Sequence, residues 1–191
     1  MSVSAFQSSK LHLVPFLAAD AESVCSWVRN EREARWLSPI TDPPLTPEKV
    51  LGWQRPDGHA FVFSERTSGP FLQREVPQHA ANDSTRRRPV GYGELNPMQA
   101  ERGHWWLGHC IVDPDQRRRG VGARLIRGLW GFAFGRLEAR RVSLIVFPEN
   151  EAAFRCYSRN GFVEVGEEFH EFRAGRRERL LRLEAKSPNR G

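Results

Sequence analysis

Residues 110–130 read CIVDPDQRRRGVGARLIRGLW. An apolar run ends at Val112, a polar loop occupies Asp113 to Arg119, and an apolar-periodic segment opens near Gly120. This pattern predicts a strand, a short loop and a helix N-terminus. The first N–H groups of a helix have no partner inside it, and the helix dipole places partial positive charge at the same end. Such a junction suits an anion, and Gly120 and Gly122 would let a ligand approach the backbone closely. Two readings compete. Arg117, Arg118 and Arg119 belong either to a patch for a nucleic-acid backbone or to a cradle for one small anionic group.

Three motifs share the logic of a strand, a glycine loop and a helix. A Walker A loop needs Gly-Lys-Ser/Thr, but Gly122 is followed by Ala123-Arg124. A dinucleotide fingerprint needs a third glycine where Leu125 stands, and it expects the first strand of the domain. The third pattern is Arg/Gln-x-x-Gly-x-Gly/Ala, and Arg117 to Gly122 satisfies each of its fixed positions.

The chain has 191 residues, enough for one domain with a real core. Its net charge of +6 favours anionic partners and says nothing about fold. Cys25, Cys110 and Cys156 form no CxxC, and no Cys/His cluster has zinc spacing, so no metal is expected. The cysteines read as reduced thiols of a cytoplasmic protein. The opening MSVSAFQSSK lacks the basic and apolar regions of a signal peptide, and no apolar run is long enough to span a membrane.

Strands are expected at 10–16, 59–65, 89–95, 103–113, 140–147 and in a closing pair, 162–172 and 176–184. Residues 20–37 carry apolar positions at near-helical spacing behind Asp20 as a cap. Thr46-Pro47 opens a short helix. The segment from Val121 places Val121, Leu125, Leu129, Ala133 and Leu137 on one helical face. It also carries Gly128, Gly131 and Gly135; each costs roughly 1 kcal/mol relative to Ala, so close packing is the expected reason. A short helix follows Asn150 as its cap and ends at Asn160-Gly161, with Gly161 left-handed. The order predicts an α/β (α+β) domain over 10–185: one mixed sheet of six to seven strands with helices on both faces. Residues 1–9 and 186–191 are expected to be flexible, and 66–88 to form a long mobile connection.

IVDPDQRRRGVGARLI resembles motif A of the GNAT superfamily of N-acetyltransferases, and RVSLIVFPENEAAFRCYSRNGFVEVG resembles that family's motif B. The two stand in the right order, thirty residues apart from Gly120 to Asn150. The layout of the first third, including Trp36-Leu37-Ser38-Pro39, is similar to the branch of the ribosomal-protein N-terminal acetyltransferases. The resemblance implies a mostly antiparallel sheet whose two central parallel strands, here 104–113 and 140–147, splay apart. It implies acetyl-CoA as cosubstrate. The loop Arg117, Arg118, Arg119, Gly120, Val121, Gly122 would hold the pyrophosphate by backbone N–H groups, with arginine side chains reaching phosphates more loosely. Cys110, Ile111 and Val112 would hydrogen-bond the pantetheine arm, and an N–H near Ile111 or Val112 would face the thioester oxygen. Asn150 would contact the cofactor as well as cap its helix, and Tyr157, two turns on, would protonate the departing thiolate. From a phenol near pKa 10 to a thiol near 8.5 that step is uphill by about 2 kcal/mol, so it would be late or concerted.

The acceptor amine must also lose a proton. Glu94, acting through water, is the first candidate base and His109 the second, because histidine titrates in the right range. Glu101 and His104 are further candidates, and Trp36, Trp53, Trp105 and Trp106 either line an acceptor cleft or fill the core. The expected activity is direct attack of a primary amine, on a small molecule or a peptide, without an acyl-enzyme; Cys156 has no His/Asp partner arranged for it. The alternatives are a non-catalytic acyl-CoA sensor and a basic nucleic-acid-binding protein, the second of which gives no reason for the Asn150…Tyr157 spacing. Neither nucleic acid nor membrane is the expected partner, and a homodimer stays open.

Overall fold

The structure, a computed structural model, describes residues 11–66, 87–172, 175 and 177–187. Seven strands and five α-helices follow one another in the described chain. They are β1 (Leu11–Pro15), α1 (Ala21–Ser26), α2 (Glu31–Leu37), α3 (Pro47–Leu51), β2 (His59–Arg66), β3 (Arg87–Pro97), β4 (His104–Val112), α4 (Val121–Gly135), β5 (Arg141–Val146), α5 (Glu151–Ser158), β6 (Val163–Glu171) and β7 (Arg177–Lys186). The seven strands form one sheet in the order β1-β2-β3-β4-β5-β7-β6. Each neighbouring pair is antiparallel except β4 and β5. This is the expected mixed sheet. The connection expected over 66–88 and the two chain ends lie almost wholly outside the described residues.

The parallel pair is short. His104, Trp105 and Trp106 pair with Arg141, Val142 and Ser143, and the ladder stops there. Both strands run on, β4 to Val112 and β5 to Val146, so the sheet parts down its middle. The edges of Leu107–Val112 and Leu144–Val146 that face one another are not paired with each other.

Two apolar layers sandwich the sheet. On one face α4 buries Val121, Leu125, Ile126, Leu129 and Ala133 against Phe61, Phe63, Leu95, Leu107, Val142, Leu144, Leu181 and Leu183. On the other, Ala21 and Val24 of α1, Trp27 just after it and Val50 of α3 are buried against Val62, Tyr92 and Ile111. The alternation of strand side chains assigns residues to faces. It works along β3, where Tyr92, Glu94 and Asn96 turn to the α1–α3 face and Leu95 to α4.

Several sequence expectations need correction. The helical run over 20–37 is two helices, broken at Trp27–Asn30, because Asn30 starts a new one by accepting from the Glu33 N–H at 3.0 Å. Asp20 does not cap α1; its carboxylate reaches back to the N–H of Leu17 at 2.7 Å and closes a preceding 3-10 turn. α4 ends at Gly135, so Leu137 packs on the core from outside the helix. Close packing requires none of the three helix glycines: an added Cβ on Gly128 would make an ordinary contact with Leu13 at 3.7 Å, and the positions of Gly131 and Gly135 are open among the described residues. The glycines that bring α4 onto the sheet are in β3. A Cβ on Gly93 would stand 2.7 Å from Leu129 Cδ1 and 3.0 Å from Cys110 Sγ.

Candidate active site

β4 carries the feature that organises the site. Trp105 and Leu107 face the α4 core, and strict alternation would send His109 there too. Instead Tyr92 pairs with Ile111 and Glu94 with Gly108, so two steps along β3 oppose three along β4. His109 takes φ +46 at this bulge. The extra residue reverses the alternation. It turns His109 to the α1–α3 face and returns Cys110 and Val112 to the α4 face. The bulge falls in the part of β4 that has left β5.

His109 meets Glu94 there, Nδ1 to Oε2 at 3.0 Å. Glu94 is only 2% exposed, so no substrate reaches its carboxylate directly. It accepts from Asn96 Nδ2 at 3.2 Å, from the Tyr92 hydroxyl, and at 3.5 Å from Gln54 Nε2, which also bonds Tyr92 Oη at 2.9 Å. Burial first, and then the Glu94 charge, hold the Tyr92 phenol far above its ordinary range, so it stays a donor. The ring of Trp53 stacks on His109, with centroids 4.1 Å apart and planes 8° from parallel. The histidine is the half-buried outer group of this pair, and the glutamate lies behind it.

On the other side of β4, Tyr157 lies against the thiol of Cys110. Burial raises both groups, the thiol to about 12 and the phenol well above its usual value, with the two sulfurs of Cys110 and Cys156 adding to the second. Tyr157 packs edge-on to Phe162 at 5.8 Å. Asn150 caps α5, its Oδ1 accepting from the Ala153 N–H at 3.3 Å, and Gly161 ends the helix at φ +89. Both features follow the sequence expectation.

The loop from Asp113 to Gly120 takes two left-handed residues, Arg118 at φ +61 and Gly120 at φ +76. Gly120 is the residue before α4 and has open space around it among the described residues. The N–H groups of Val121, Gly122 and Ala123 form the unpartnered first turn of a fifteen-residue helix. A pyrophosphate fits such a junction, since backbone donors converge on a place that a side chain would fill. Arg118 and Arg119 are exposed beside it. Arg117 is not free for phosphate. Its guanidinium donates to Val112 O at 3.1 Å, Trp27 O at 3.1 Å and both oxygens of Glu33 at 2.6 and 3.1 Å.

Glu101 and His104, the other base candidates, belong to a separate network. Glu101 pairs with Arg141, and His104 Nε2 lies 2.6 Å from Ser143 Oγ, which donates to Glu184 at 3.0 Å. Both sit where β4 and β5 are still paired, away from the bulge. Of the four tryptophans only Trp53 touches the His109 group. Trp105 packs on the α4 core beside His59, Arg182 lies over Trp106 at 5.7 Å, and Arg32 lies over Trp36 at 5.1 Å. Sequence reasoning missed Tyr92, Asn96 and Gln54. The first two sit at i−2 and i+2 from Glu94, the spacing that puts strand residues on one face.

Residues 32–162 match the acetyltransferase (GNAT) family, and the chain belongs to it. It is an acetyltransferase with the fold of that family. Among solved structures, a spermidine N-acetyltransferase from Vibrio cholerae in complex with CoA and spermine superposes with a TM-score of 0.68 at 19% identity, over 94% of this chain and 97% of that one. A kanamycin resistance protein from Rhizobium radiobacter is 29% identical over 76 residues, 35% of this chain and 70% of its own. An aminoglycoside N(6')-acetyltransferase type 1 from Klebsiella pneumoniae is 25% identical over 88 residues, 41% of this chain and 44% of its own. The match thus covers less than half of that relative.

Proposed function

We propose that this protein transfers the acetyl group of acetyl-CoA to a primary amine of a small molecule by direct attack within a ternary complex, in the cytoplasm. One observation carries the reading. At the bulge in β4, successive residues His109 and Cys110 face opposite sides of the place where β4 and β5 part. This arrangement supports a base at His109 on one side of the gap and a proton donor at Tyr157, which lies against Cys110, on the other.

Bound acetyl-CoA supplies the thioester, and backbone N–H groups of Arg118 to Gly122 would hold its pyrophosphate, with Cys110–Val112 along its amide arm. Asn150 would contact it from the start of α5. His109 takes the proton of the acceptor amine, and Glu94 holds the ring by Nδ1–H and stabilises the imidazolium that forms. Tyr157 gives a proton to the departing thiolate. Its raised value keeps it protonated at neutral pH, so the transfer must accompany C–S cleavage rather than precede it.

The relatives that act on aminoglycosides and the structural neighbour that binds spermine support a small polyamine-like acceptor. Mass spectrometry of products from spermidine, kanamycin and a short peptide, each incubated with acetyl-CoA, tests this reading. One acetyl group added to either small amine supports it. Acetylation of the peptide alone would replace the small molecule by a chain N-terminus, and unmodified amines throughout would overturn the enzymatic reading.

A further inference from the structure

Helices α4 and α5 run side by side away from the open start of α4. A Cβ added to Gly122 would lie 3.5 Å from Cys156 Sγ, and further along Arg127 meets Asn160, just after α5. Asn160 is itself fixed. Its Nδ2 donates to Cys156 O at 2.7 Å, and its Oδ1 accepts from Arg127 Nη1 at 3.2 Å. An amide oxygen is neutral, so it orients the guanidinium without cancelling its charge. Arg127 and Arg159 are both exposed, and their charges both act on the Cys156 thiol against the burial that raises it. The two guanidinium groups therefore flank one groove, and among the described residues neither pairs with a carboxylate. The other arginines around the start of α4, Arg118 apart, are engaged elsewhere. Arg117 holds Glu33, Arg119 bonds Gln116 at 3.1 Å, Arg155 pairs with Glu151 at 2.7 Å, and Arg124 lies over the Phe63 ring at 5.7 Å.

We infer that Arg127, oriented by Asn160 and joined by Arg159 across the groove, binds the 3′-phosphate of CoA. This group is a phosphate monoester with a charge of about −1.5 to −2 at neutral pH, and it suits a guanidinium that no carboxylate neutralises. The ribose that carries it is joined directly to the pyrophosphate, so its site must lie close to the place where the pyrophosphate is held. Arg127 meets that condition. It stands two turns from Gly120 on the same side of α4, about 9 Å along the axis from Val121. Helical side chains lean back toward the N-terminus, which carries the guanidinium toward the pyrophosphate. The subsite rests on CoA being the cosubstrate and on its pyrophosphate lying at the start of α4. It adds two arginines that lie outside the glycine motif, one on α4 and one just after α5.

The test is calorimetric titration of CoA and of 3′-dephospho-CoA into the unmutated chain, Arg127→Gln, Arg159→Gln, their combination and Asn160→Asp. The subsite predicts that the unmutated chain binds CoA about tenfold or more tighter than dephospho-CoA, as a charge-assisted contact to phosphate requires. Arg127→Gln should bring the two affinities within about twofold of each other by weakening CoA alone, and Arg159→Gln should lose part of the preference. Asn160→Asp sets a carboxylate on the guanidinium and should also remove the preference. Equal weakening of both ligands by Asn160→Asp would overturn the role of Asn160, since it would mark a general loosening of the end of α5. If the unmutated chain binds both ligands equally, or if the preference survives in the combined arginine variant, the 3′-phosphate subsite is wrong and the pyrophosphate cradle stands. If neither ligand binds the unmutated chain, the cosubstrate reading fails and the subsite fails with it.

Discussion

Arg117 grips both carboxylate oxygens of Glu33, at 2.6 and 3.1 Å, and so fastens the loop before α4 to helix α2. The same helix is held from its other side, where Arg35 reaches Glu149 at 2.6 Å and lies over Phe147 at 4.3 Å. Helix α2 thus has one ion pair to the loop after β4 and one to the loop after β5. The first arginine of the glycine motif is a fastener between the loop and helix α2.

The clamp makes Arg117→Gln weaken two properties at once. The fold should lose about 1–2 kcal/mol, read as a lower melting temperature, because a partly buried bidentate pair is worth more than an exposed one. KM for acetyl-CoA should rise several-fold, because the loop loses its anchor. Glu33→Gln should reproduce much of both effects, and the double variant should be no worse than either alone.

The same pair contributes a pH dependence. Desolvation pushes the Glu33 carboxyl upward, but the hydrogen bonds and charge of Arg117, with the Arg29 N–H, outweigh it and leave the group below its usual 4.5. The folded chain therefore binds this proton less readily than the unfolded chain. The stabilisation is complete above the unfolded value and is lost as pH falls through the lowered folded value. Urea unfolding from pH 7 down to pH 3 should show a loss below about pH 4.5 that Glu33→Gln does not share.

Gly120→Glu should abolish acetyl-CoA binding while the protein stays folded. The position is open, so bulk is tolerated, and the left-handed φ of +76 costs a non-glycine residue about 1–2 kcal/mol. The carboxylate would stand where the pyrophosphate is expected. Calorimetric titration with acetyl-CoA checks this, and an unchanged affinity would refute the cradle.

Tyr157→Phe should lower the rate of acetyl transfer by ten- to a hundredfold with the dissociation constant of acetyl-CoA within twofold. The ring keeps its edge contact with Phe162, so only the proton donor is lost. A rate loss that vanishes with thioesters of more acidic thiols would identify the hydroxyl as that donor.

Gly93→Ala should destabilise the protein by about 1–3 kcal/mol, because the added Cβ would meet Leu129 at 2.7 Å in a packed core. Pairing it with Leu129→Ala should recover part of the loss in chemical denaturation.

Much of this was legible in the sequence for a physical reason. Periodicity places strands and helices, and helix starts, caps and ends are local, so the start of α4 at Gly120, the Asn150 cap and the left-handed Gly161 read correctly from a few neighbours. The central parallel pair was legible only through family resemblance. What was not legible is long-range. No local pattern places a bulge at His109, because it is set by the register of β4 against β3. Without the bulge, Glu94 and His109 read as two separate candidates, whereas they are one hydrogen-bonded unit. Arg117 read as a phosphate ligand because its partner Glu33 lies far away in sequence, and Asn30 was passed over as a cap because apolar spacing ran on across it. In each case the decisive contact joins residues that only the folded sheet brings together.

The central claim is transfer of an acetyl group from acetyl-CoA to an amine, both bound at once. The most direct measurement is the initial rate of CoA thiol release, with acetyl-CoA and a polyamine or aminoglycoside varied together. The account predicts release that depends on the amine, with double-reciprocal lines that intersect and a rate that collapses in His109→Ala. Tight acetyl-CoA binding with no amine-dependent release, for any acceptor tried, would contradict it and leave a binding protein in place of an enzyme.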